Sequence, residues 1–475
     1  MKNIGRKIAK FFSDIGNAVV KGDIFVKLSL LIMGAGYFGR KQYIKGIITT
    51  IFQAAAALFT VIVAIPYISK FSTLGTVERE MVFNIDTMKN EVNNYDHSFK
   101  ILLFGMIGII AIVVFVFLYL WNIIKVRELQ ILSQRGKHIN SFREDVRALL
   151  NQKFHITLLF FPFLGITLFT IIPLLVMIMV AFTNYDQNHM PPSSLFTWVG
   201  FNNFKQLFTS TISVTFGYSF TKILIWTLIW AFFATFTTYI GGILLAMLIN
   251  DKKTKAKKLW RTLFIIAIAV PQFVTLLLVR NFFADLGIVN TICSKIGLTD
   301  FLKTIGLVKD SLTYIPFLSD PNWAKVMIIL INMWIGIPYL MLIATGVLMN
   351  IPADLKESAK IDGANGIQIF FKITMPYMLF VTGPYLVTSF VANINNFNVI
   401  YLLTQDVFVT HNQYLANSNA KETDLLVTWL YRLTQEYYNY KMASVIGIVV
   451  FIICATFTLF AFNSMIKGDK EEEFQ

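Results

Sequence analysis

Eight long uncharged stretches limit what this chain can fold into. Each is apolar and long enough for a helix to cross the roughly 30 Å hydrocarbon layer of a bilayer, which takes about 20 residues. Of the 475 residues, 56% are hydrophobic and only 14% are charged, whereas soluble domains average about 25% charged residues. We therefore predict an all-α polytopic membrane protein with eight transmembrane helices. The stretches are 46–69, 101–124, 154–185, 223–250, 262–279, 326–353, 373–405 and 442–466.

The loops between these stretches differ in charge, and the difference predicts their orientation. Segment 122–155 carries seven Lys or Arg against three Asp or Glu, and 251–261 carries six against one. Both should be cytoplasmic, because loops rich in Lys and Arg stay on that side. Segments 71–99 and 405–438 have more acidic than basic residues and should lie outside. Counting spans between these loops places both termini and Glu357 in the cytoplasm. The net charge of +14 therefore indicates membrane topology and not nucleic-acid binding.

The chain divides into four predicted segments. Residues 1–45 form a cytoplasmic or interfacial segment, which begins with a basic amphipathic helix suited to inner-leaflet lipid. Residues 46–185 contain the first three spans, with the outer loop 71–99 and the cytoplasmic loop 122–155. Residues 186–466 form the core membrane domain, and 467–475 form a cytoplasmic tail.

The sequence lacks the signals of several chemistries. Its two cysteines, Cys293 and Cys454, fall in a predicted outer loop and a predicted span, so we expect neither a disulfide nor a cysteine-based metal site. The five histidines show no metal-ligand spacing. No glycine-rich phosphate loop of the Gly-x-x-x-x-Gly-Lys-Ser/Thr kind is present. We expect no metal and no cofactor, and any ATP that drives this protein should bind another chain.

Two other classes of membrane protein are disfavoured. An integral-membrane enzyme would need convergent Asp, Glu or His side chains near a membrane face, but the acidic residues lie mostly in loops and do not pair. An ion-coupled carrier would need carboxylates within the membrane or inverted repeats, and the predicted spans show neither. We therefore expect no enzyme activity, and we keep an integral-membrane enzyme only as the less favoured alternative.

One polar segment, 352–376, separates the last long spans. Pro352 suits the first turn of a helix, and Glu357 lies near the positive N-terminal end of that helix. Gly363 should end the helix in a left-handed conformation, and a second helical piece runs to Pro376. We predict a helix–turn–helix against the membrane that a soluble protein can push on. An ordinary amphipathic cytoplasmic loop is the alternative.

The spacing in this segment resembles the EAA loop of ABC-importer permeases. The pattern is Glu357-Ser358-Ala359, three residues, Gly363, nine residues, Ile373, one residue, Met375-Pro376. Two positions depart from that loop, with Ser358 in place of Ala and Met375 in place of Leu. In that family the loop is the coupling helix that sits in a groove of the ATPase subunit. The resemblance implies these ATPase-coupling residues: Glu357, Ser358, Ala359, Asp362, Gly363 and Pro376.

The seventh stretch contains four asparagines within residues 393–398. Amides are costly in hydrocarbon unless they face protein or a wet cavity. On a helix, Asn393 and Asn396 would share a face, with Phe390 and Phe397 on the same side. Amides beside aromatic rings suit a carbohydrate, so we predict a sugar cavity here. The alternative is that the asparagines only join helices by hydrogen bonds.

Two further spans contain proline near their middle. Trp334-Ile335-Gly336-Ile337-Pro338-Tyr339 lies in the sixth, and Gln272 follows Pro271 in the fifth. Discontinuous membrane helices often surround transport sites, so these breakers predict a central binding site. A kinked helix used only for packing is the alternative.

From about residue 195 to 466 the chain resembles the maltose/maltodextrin permeases of the MalF type. The Trp334–Tyr339 and Ser389–Phe397 segments carry that resemblance. It implies a type I ABC importer permease fold and sugar contacts by Gly336, Tyr339, Asn393 and Asn396. Family contacts are changed at Ile268, Gln272 and Ala392, which leaves galacto-oligosaccharides open as substrates. The candidate substrate-binding residues are Gly336, Tyr339, Asn393, Asn396, Gln272, Trp334, Phe390 and Phe397.

The same resemblance implies a role and partners. The chain would be the malto-oligosaccharide permease subunit of an ATP-driven importer in the plasma membrane. Its partners would be a second permease subunit of the MalG type, an ATPase homodimer and an extracellular sugar-binding lipoprotein. Loop 186–222 is too short for the large outer domain of enteric members, so the chain resembles the short form found in Gram-positive bacteria.

Overall fold

The computed structural model describes residues 2–86, 88–209, 216–251, 253–404, 410 and 412–467. The chain forms two compact units, one through Gly200 and one from Phe201. The predicted tail 467–475 lies outside the described residues except for Lys467, and the predicted segment boundaries stay predictions.

The elements described in the first unit are helices and one hairpin, with an isolated bridge between Thr183 and Trp198. A π-helical turn, Thr60–Ala64, joins α4 to α5, and another, Thr167–Ile171, joins α8 to α9. The elements are α1 Lys2–Lys21, α2 Ile24–Leu28, α3 Ala35–Phe38, α4 Tyr43–Phe59, α5 Ile65–Ser69, β1 Met81–Asn84, β2 Lys89–Val92, α6 Ser98–Gln134, α7 Phe142–Leu150, α8 Phe154–Ile166 and α9 Ile172–Val180.

The elements described in the second unit are all helices, joined by loops. A π-helical turn, Phe370–Thr374, joins α18 to α19. The elements are α10 Asn202–Phe208, α11 Phe216–Asn250, α12 Lys257–Ala269, α13 Gln272–Phe282, α14 Ile288–Lys295, α15 Leu298–Thr304, α16 Pro321–Met349, α17 Ala353–Ile361, α18 Gly366–Ile369, α19 Met375–Ile394, α20 Phe397–Thr404, α21 Gln413–Asn417, α22 Leu426–Gln435 and α23 Tyr440–Lys467.

Within the described residues, seven helices are long and apolar enough to cross a membrane, one fewer than predicted. The missing one is the predicted span 262–279, which is split into α12 and α13. Pro271 lacks the N–H that a continuous helix needs, and Val270 before it is extended with ψ 127°. The candidate spans are Tyr43–Ser69, Ser98–Gln134, Phe154–Val180, Phe216–Asn250, Pro321–Met349, Gly366–Thr404 and Tyr440–Ser464.

A short antiparallel hairpin, β1 with β2, lies in the predicted outer loop 71–99. The all-α prediction was therefore wrong for this loop. The hairpin base is held by Asp96, whose carboxylate accepts hydrogen bonds from Lys70 Nζ at 2.6 Å and from the N–H groups of Thr76 and Val77. Burial has the largest effect on Asp96 and raises its pKa. The hydrogen bonds and the charge of Lys70 outweigh it and lower the pKa overall.

Helices α11, α16 and α19 pack closely in the second unit. A Cβ on Gly242 would lie 2.5 Å from Leu340 Cβ, and a Cβ on Gly336 would lie 2.9 Å from Thr238 Cγ2. These glycines let α11 and α16 approach closely, as small residues do in membrane helix pairs. The Tyr239 hydroxyl is hydrogen-bonded to the Thr382 hydroxyl at 2.7 Å, which ties α11 to α19.

The segment before α23 is docked onto α11 by buried polar contacts. Thr227 Oγ1 on α11 accepts a hydrogen bond from Leu426 N, and Trp226 Nε1 donates to Thr423 O at 3.1 Å. Inside this segment, Arg432 and Asp424 form an ion pair at 3.1 Å with both side chains buried. A buried pair of this kind is strongly destabilising to break, so it holds α22 in place.

Candidate functional site

A network of amides lies where α19 ends. Asn393 Nδ2 donates to Thr235 Oγ1 on α11 at 3.0 Å, and Asn396 Nδ2 donates to Asn393 Oδ1 at 3.2 Å. Trp230 Nε1 also donates to the backbone oxygen of Asn393 at 3.0 Å. The side chains of Asn393 and Asn396 are only partly buried. Asn393 therefore does join two helices, while both amides keep surface for another partner.

The asparagines also end one helix and begin the next. The chain leaves α19 after Ile394, and Asn396 Oδ1 then accepts from Val399 N at 3.4 Å in the first turn of α20. The prediction of one continuous helical face through residue 397 is therefore wrong, because Asn side chains compete for backbone groups and favour turns and caps over helix interiors.

The two predicted phenylalanines lie in different surroundings. Phe390 packs against Phe457 of α23, with ring centroids 4.5 Å apart. Phe397 instead stacks on Tyr401 at 4.5 Å and meets Tyr431 of α22 edge-on at 4.7 Å. Tyr401 and Tyr431 also contact each other, at 5.1 Å. Only Phe397 therefore belongs to an aromatic cluster next to Asn396.

The predicted residues of the sixth span lie on one unbroken helix. Residues Gly336 and Pro338 are inside α16, so the predicted break there is wrong. Gly336 and Tyr339 are three residues apart and share a face, whereas Trp334 is five residues from Tyr339 and lies on another. Gly336 has a packing role against α11. Tyr339 is 49% exposed.

The structure thus brings together only part of the predicted sugar-binding set. Asn393 and Asn396 are directly bonded, and Phe397 follows immediately. Gln272 opens α13 and is exposed; no described contact joins it, Trp334 or Phe390 to the amide network. Sequence reasoning missed Trp230, Thr235, Tyr401 and Tyr431. A Trp and a Thr inside the apolar α11 were the available signal for the first two.

The segment with the EAA-like spacing forms the predicted helix–turn–helix. Pro352 precedes α17, and Gly363 ends it with φ +79°. Ala364 N donates to Ala359 O at 2.9 Å and Gly363 N donates to Lys360 O at 3.1 Å, which is the Schellman pattern that favours glycine. A reciprocal cap between Asn365 and Gln368 then starts α18.

The helical segment after this turn, called the rod below, continues to the amide network. Helix α18, the π-helical turn and α19 follow one another without a gap from Gly366 to Ile394. Pro376 lies in the first turn of α19, where its missing N–H is tolerated. At 1.5 Å per residue the rod is about 40 Å long. The turn and Asn393 therefore lie at opposite ends of one continuous helical segment.

The turn itself presents a surface suited to a protein partner. Glu357, Ser358, Asp362 and Gly363 are exposed and Ala359 is partly buried. A pocket of about 410 Å³ opens between the end of α17 and the helical segment after the turn, next to Asp362 and Gly363. Large apolar side chains are also exposed to solvent on this segment, as they are at protein-docking surfaces. They are Leu355 at 46%, Ile361 at 86%, Ile367 at 70% and Phe371 at 63% exposure.

Among the residues that the structure describes, no three His, Cys, Asp or Glu side chains are grouped so that they could hold a metal ion. The residues described for the amide and aromatic site include no carboxylate, imidazole or ammonium group. Its chemistry is hydrogen bonding and ring contact.

Comparison with known proteins gives consistent matches. The family described as "Binding-protein-dependent transport system inner membrane component" matches residues 239–467. The maltodextrin transport system permease protein MdxF of Bacillus subtilis (strain 168) is 33% identical, over 93% of this chain and 95% of the relative. The galactooligosaccharides transport system permease protein GanP of the same organism is also 33% identical, over 93% and 97%.

A solved structure supports the fold. The crystal structure of a bacterial ABC transporter involved in the import of the acidic polysaccharide alginate contains a chain that matches with a TM-score of 0.51. The sequences are 23% identical, and the match covers 68% of this chain and 99% of that one.

Proposed function

Since this chain belongs to the family of binding-protein-dependent transport inner-membrane components, and is a permease subunit of an ABC sugar importer and not an enzyme, we propose that its substrate is a malto-oligosaccharide. The observation that supports a neutral oligosaccharide is the uncharged site at the end of α19, where paired amides adjoin an aromatic cluster. It lies in a helix otherwise apolar enough to span the membrane.

The chemistry of this site suits a neutral sugar. An oligosaccharide offers hydroxyl groups, which both donate and accept hydrogen bonds, and apolar C–H faces. The free surface of Asn393 and Asn396 supplies amide donors and acceptors, and the rings of Phe397, Tyr401 and Tyr431 supply stacking surface. The described site has no carboxylate or ammonium group, so it has no charge that would favour an ionic substrate. Tyr339 and Gly336 would extend the same pathway from α16.

The coupling mechanism we propose is alternating access. An ATPase homodimer would hold α17 and the turn that follows it, at Glu357, Ser358, Asp362 and Gly363. Closure of the ATPase on ATP would shift the turn, and the continuous helix from Gly366 to Ile394 would carry the shift to the amide site. A second permease subunit would complete the pathway, and an extracellular sugar-binding lipoprotein would deliver the sugar. Both termini would lie in the cytoplasm.

Galacto-oligosaccharides are the second candidate substrates. The relative that transports them is as similar to this chain as the maltodextrin permease, at 33% identity in each case. Both sugar classes are neutral and rich in hydroxyls, so the chemistry of the described site admits either one.

Uptake of labelled sugars tests the proposal. A strain that lacks this chain, complemented with the wild-type chain, should accumulate labelled maltotriose and not galactotetraose. We expect at least about a tenfold preference, because a mispositioned set of hydrogen bonds costs more than about 1.4 kcal/mol. The uncomplemented strain is the control. Preferential uptake of galactotetraose would establish the second candidate, and uptake of neither sugar by the complemented strain would contradict both.

A further inference from the structure

We propose that the first unit carries a binding site for the headgroup of an anionic phospholipid, on the side that loop charges predict to be cytoplasmic. The site is a pocket of about 320 Å³ between the start of α4 and the segment that leads into α7. It lies far along the chain from the sugar and coupling residues. Its lining is Arg40, Lys41, Gln42, Tyr43, Ile44, Lys45, Ile139, Ser141 and Phe142.

The pocket is a built feature, because residues about a hundred positions apart interlock to form it. Gln42 Nε2 and Lys45 Nζ both donate to the backbone oxygen of Asn140, at 2.8 and 2.7 Å. Lys45 is also paired with Asp145 of α7. Ser141 caps α7 through Glu144 in a reciprocal arrangement. These bonds hold α7 against the first turn of the first spanning helix.

The charge around the pocket favours an anion. Residues 39–45 and 135–147 together carry seven Lys or Arg against two Asp or Glu. Arg40 and Lys45 are already in ion pairs, with Asp23 and Asp145. Lys41 is exposed, and its ammonium has no partner in the described part of the chain. Lys41 is therefore the cation available to a ligand, in a positive local field.

Gln42 indicates that the ligand also carries a hydrogen-bond donor. Its Oε1 atom is buried and accepts no hydrogen bond from any described residue, although its Nε2 atom is satisfied. A buried acceptor without a partner is costly. A ligand hydroxyl beside a phosphate, as in a glycerol headgroup, would satisfy Gln42 Oε1 and Lys41 together.

The backbone at Lys41 supports a role for this side chain. Lys41 has φ +59°, a left-handed conformation that is rare for residues other than glycine and that asparagine tolerates better than lysine. Gly or Asn would adopt this φ more easily, so lysine at this position costs backbone energy that those residues would not.

The rim of the pocket points to a lipid and not to free phosphate. Tyr43 and Ile44 are 61% and 54% exposed at the start of a membrane-spanning helix, and Phe142 is 38% exposed on α7. These side chains would lie against acyl chains when the phosphate is in the pocket, whereas free phosphate has nothing to place there. Basic pockets at the cytoplasmic ends of membrane helices bind lipid headgroups in this way.

Native mass spectrometry of the full chain, purified in a mild detergent, tests the assignment. With equimolar phosphatidylglycerol and phosphatidylcholine present, the wild-type chain should retain phosphatidylglycerol preferentially. Lys41→Asn should weaken this retention about fivefold, the effect of one cation near an anionic headgroup. Because Asn suits the backbone at this position, the variant should unfold at the wild-type temperature or slightly above. Lys41→Arg keeps the positive charge and should retain phosphatidylglycerol as the wild-type chain does.

Matched controls make every outcome decisive. Lys137→Gln removes a nearby cation that adds to the local field but does not line the pocket, and it should weaken retention less than Lys41→Asn does. Equal retention of the two lipids, or wild-type retention by Lys41→Asn, would overturn the proposal. Displacement of phosphatidylglycerol by millimolar inorganic phosphate would reassign the pocket to free phosphate and overturn the lipid assignment.

Discussion

At the scale of single residues, Asn393 shows how one side chain serves packing and leaves room for binding. Its Nδ2 atom bonds Thr235 on α11 and its Oδ1 atom accepts from Asn396. An interhelical hydrogen bond in a membrane contributes only about 0.6–2 kcal/mol. Packing alone therefore gives little reason for two adjacent amides, and the partly exposed pair is the residue-level basis for the proposed sugar contact.

We predict that Asn393→Ala combined with Asn396→Ala lowers sugar uptake at least about tenfold, since the amides that would bond sugar hydroxyls are removed. Hydrolysis of ATP without sugar should continue, because these residues lie on the membrane part of the chain. Both rates are measured in the reassembled importer, in proteoliposomes.

Thr235→Val is the matched control for this pair. It removes the acceptor of the Asn393 bond but keeps both amides, so it should lower thermal stability slightly while uptake stays near the wild-type rate. Equal losses of uptake in Thr235→Val and in the double variant would assign the asparagines to packing alone.

At the scale of elements, the decisive feature is where helices break and where they do not. The fifth predicted span breaks at Pro271, and the seventh breaks at Asn395–Asn396, but α16 continues through Pro338. The rod from Gly366 to Ile394 is unbroken despite Pro376 and Pro384. An unbroken helix transmits a displacement, and a broken one absorbs it. One continuous helical segment therefore joins the turn at Gly363 to the amide network.

Gly363→Pro should abolish the stimulation of ATP hydrolysis by sugar while membrane insertion stays intact. Proline holds φ near −65° and lacks the N–H that Gly363 donates to Lys360, so it cannot adopt the observed φ of +79°. The turn would then re-form in another direction. Stimulation is measured as the ratio of ATPase rates with and without sugar and binding protein, and insertion by the amount of chain in washed membranes.

Gly363→Asn provides the comparison, because asparagine tolerates the left-handed conformation. It should retain most of the stimulation. If Gly363→Pro were stimulated like the wild-type chain, the coupling role of this turn would have to be abandoned.

At the scale of the whole molecule, membrane topology decides which surfaces meet which partners. The two free cysteines, Cys293 and Cys454, are both buried, so a chain with both replaced by Ala is a suitable background for labelling. Asp86 in the hairpin loop and Glu357 on α17 are both exposed. The charge of the loops predicts that these two sites lie on opposite sides of the membrane.

In that background, a membrane-impermeant maleimide should label Asp86→Cys in intact cells. Glu357→Cys should react only after the cells are permeabilised, because the cytoplasmic side is then accessible. Labelling is read from the mass shift of the purified chain. Reaction of Glu357→Cys in intact cells would place the coupling turn outside and remove the basis for an ATPase partner.

The sequence by itself determined the features that depend on local chemistry. Hydropathy predicted the positions of the seven candidate spans, because a segment that crosses lipid must be apolar along most of its length. Spacing predicted the turn at Gly363, because a left-handed residue after a helix favours glycine. Only the tertiary structure decided that α16 continues through Pro338 and that Gly336 packs on Thr238. It also decided that Phe390 and Phe397 have different neighbours. Those outcomes depend on which helices lie side by side, and no periodicity within one segment contains that information.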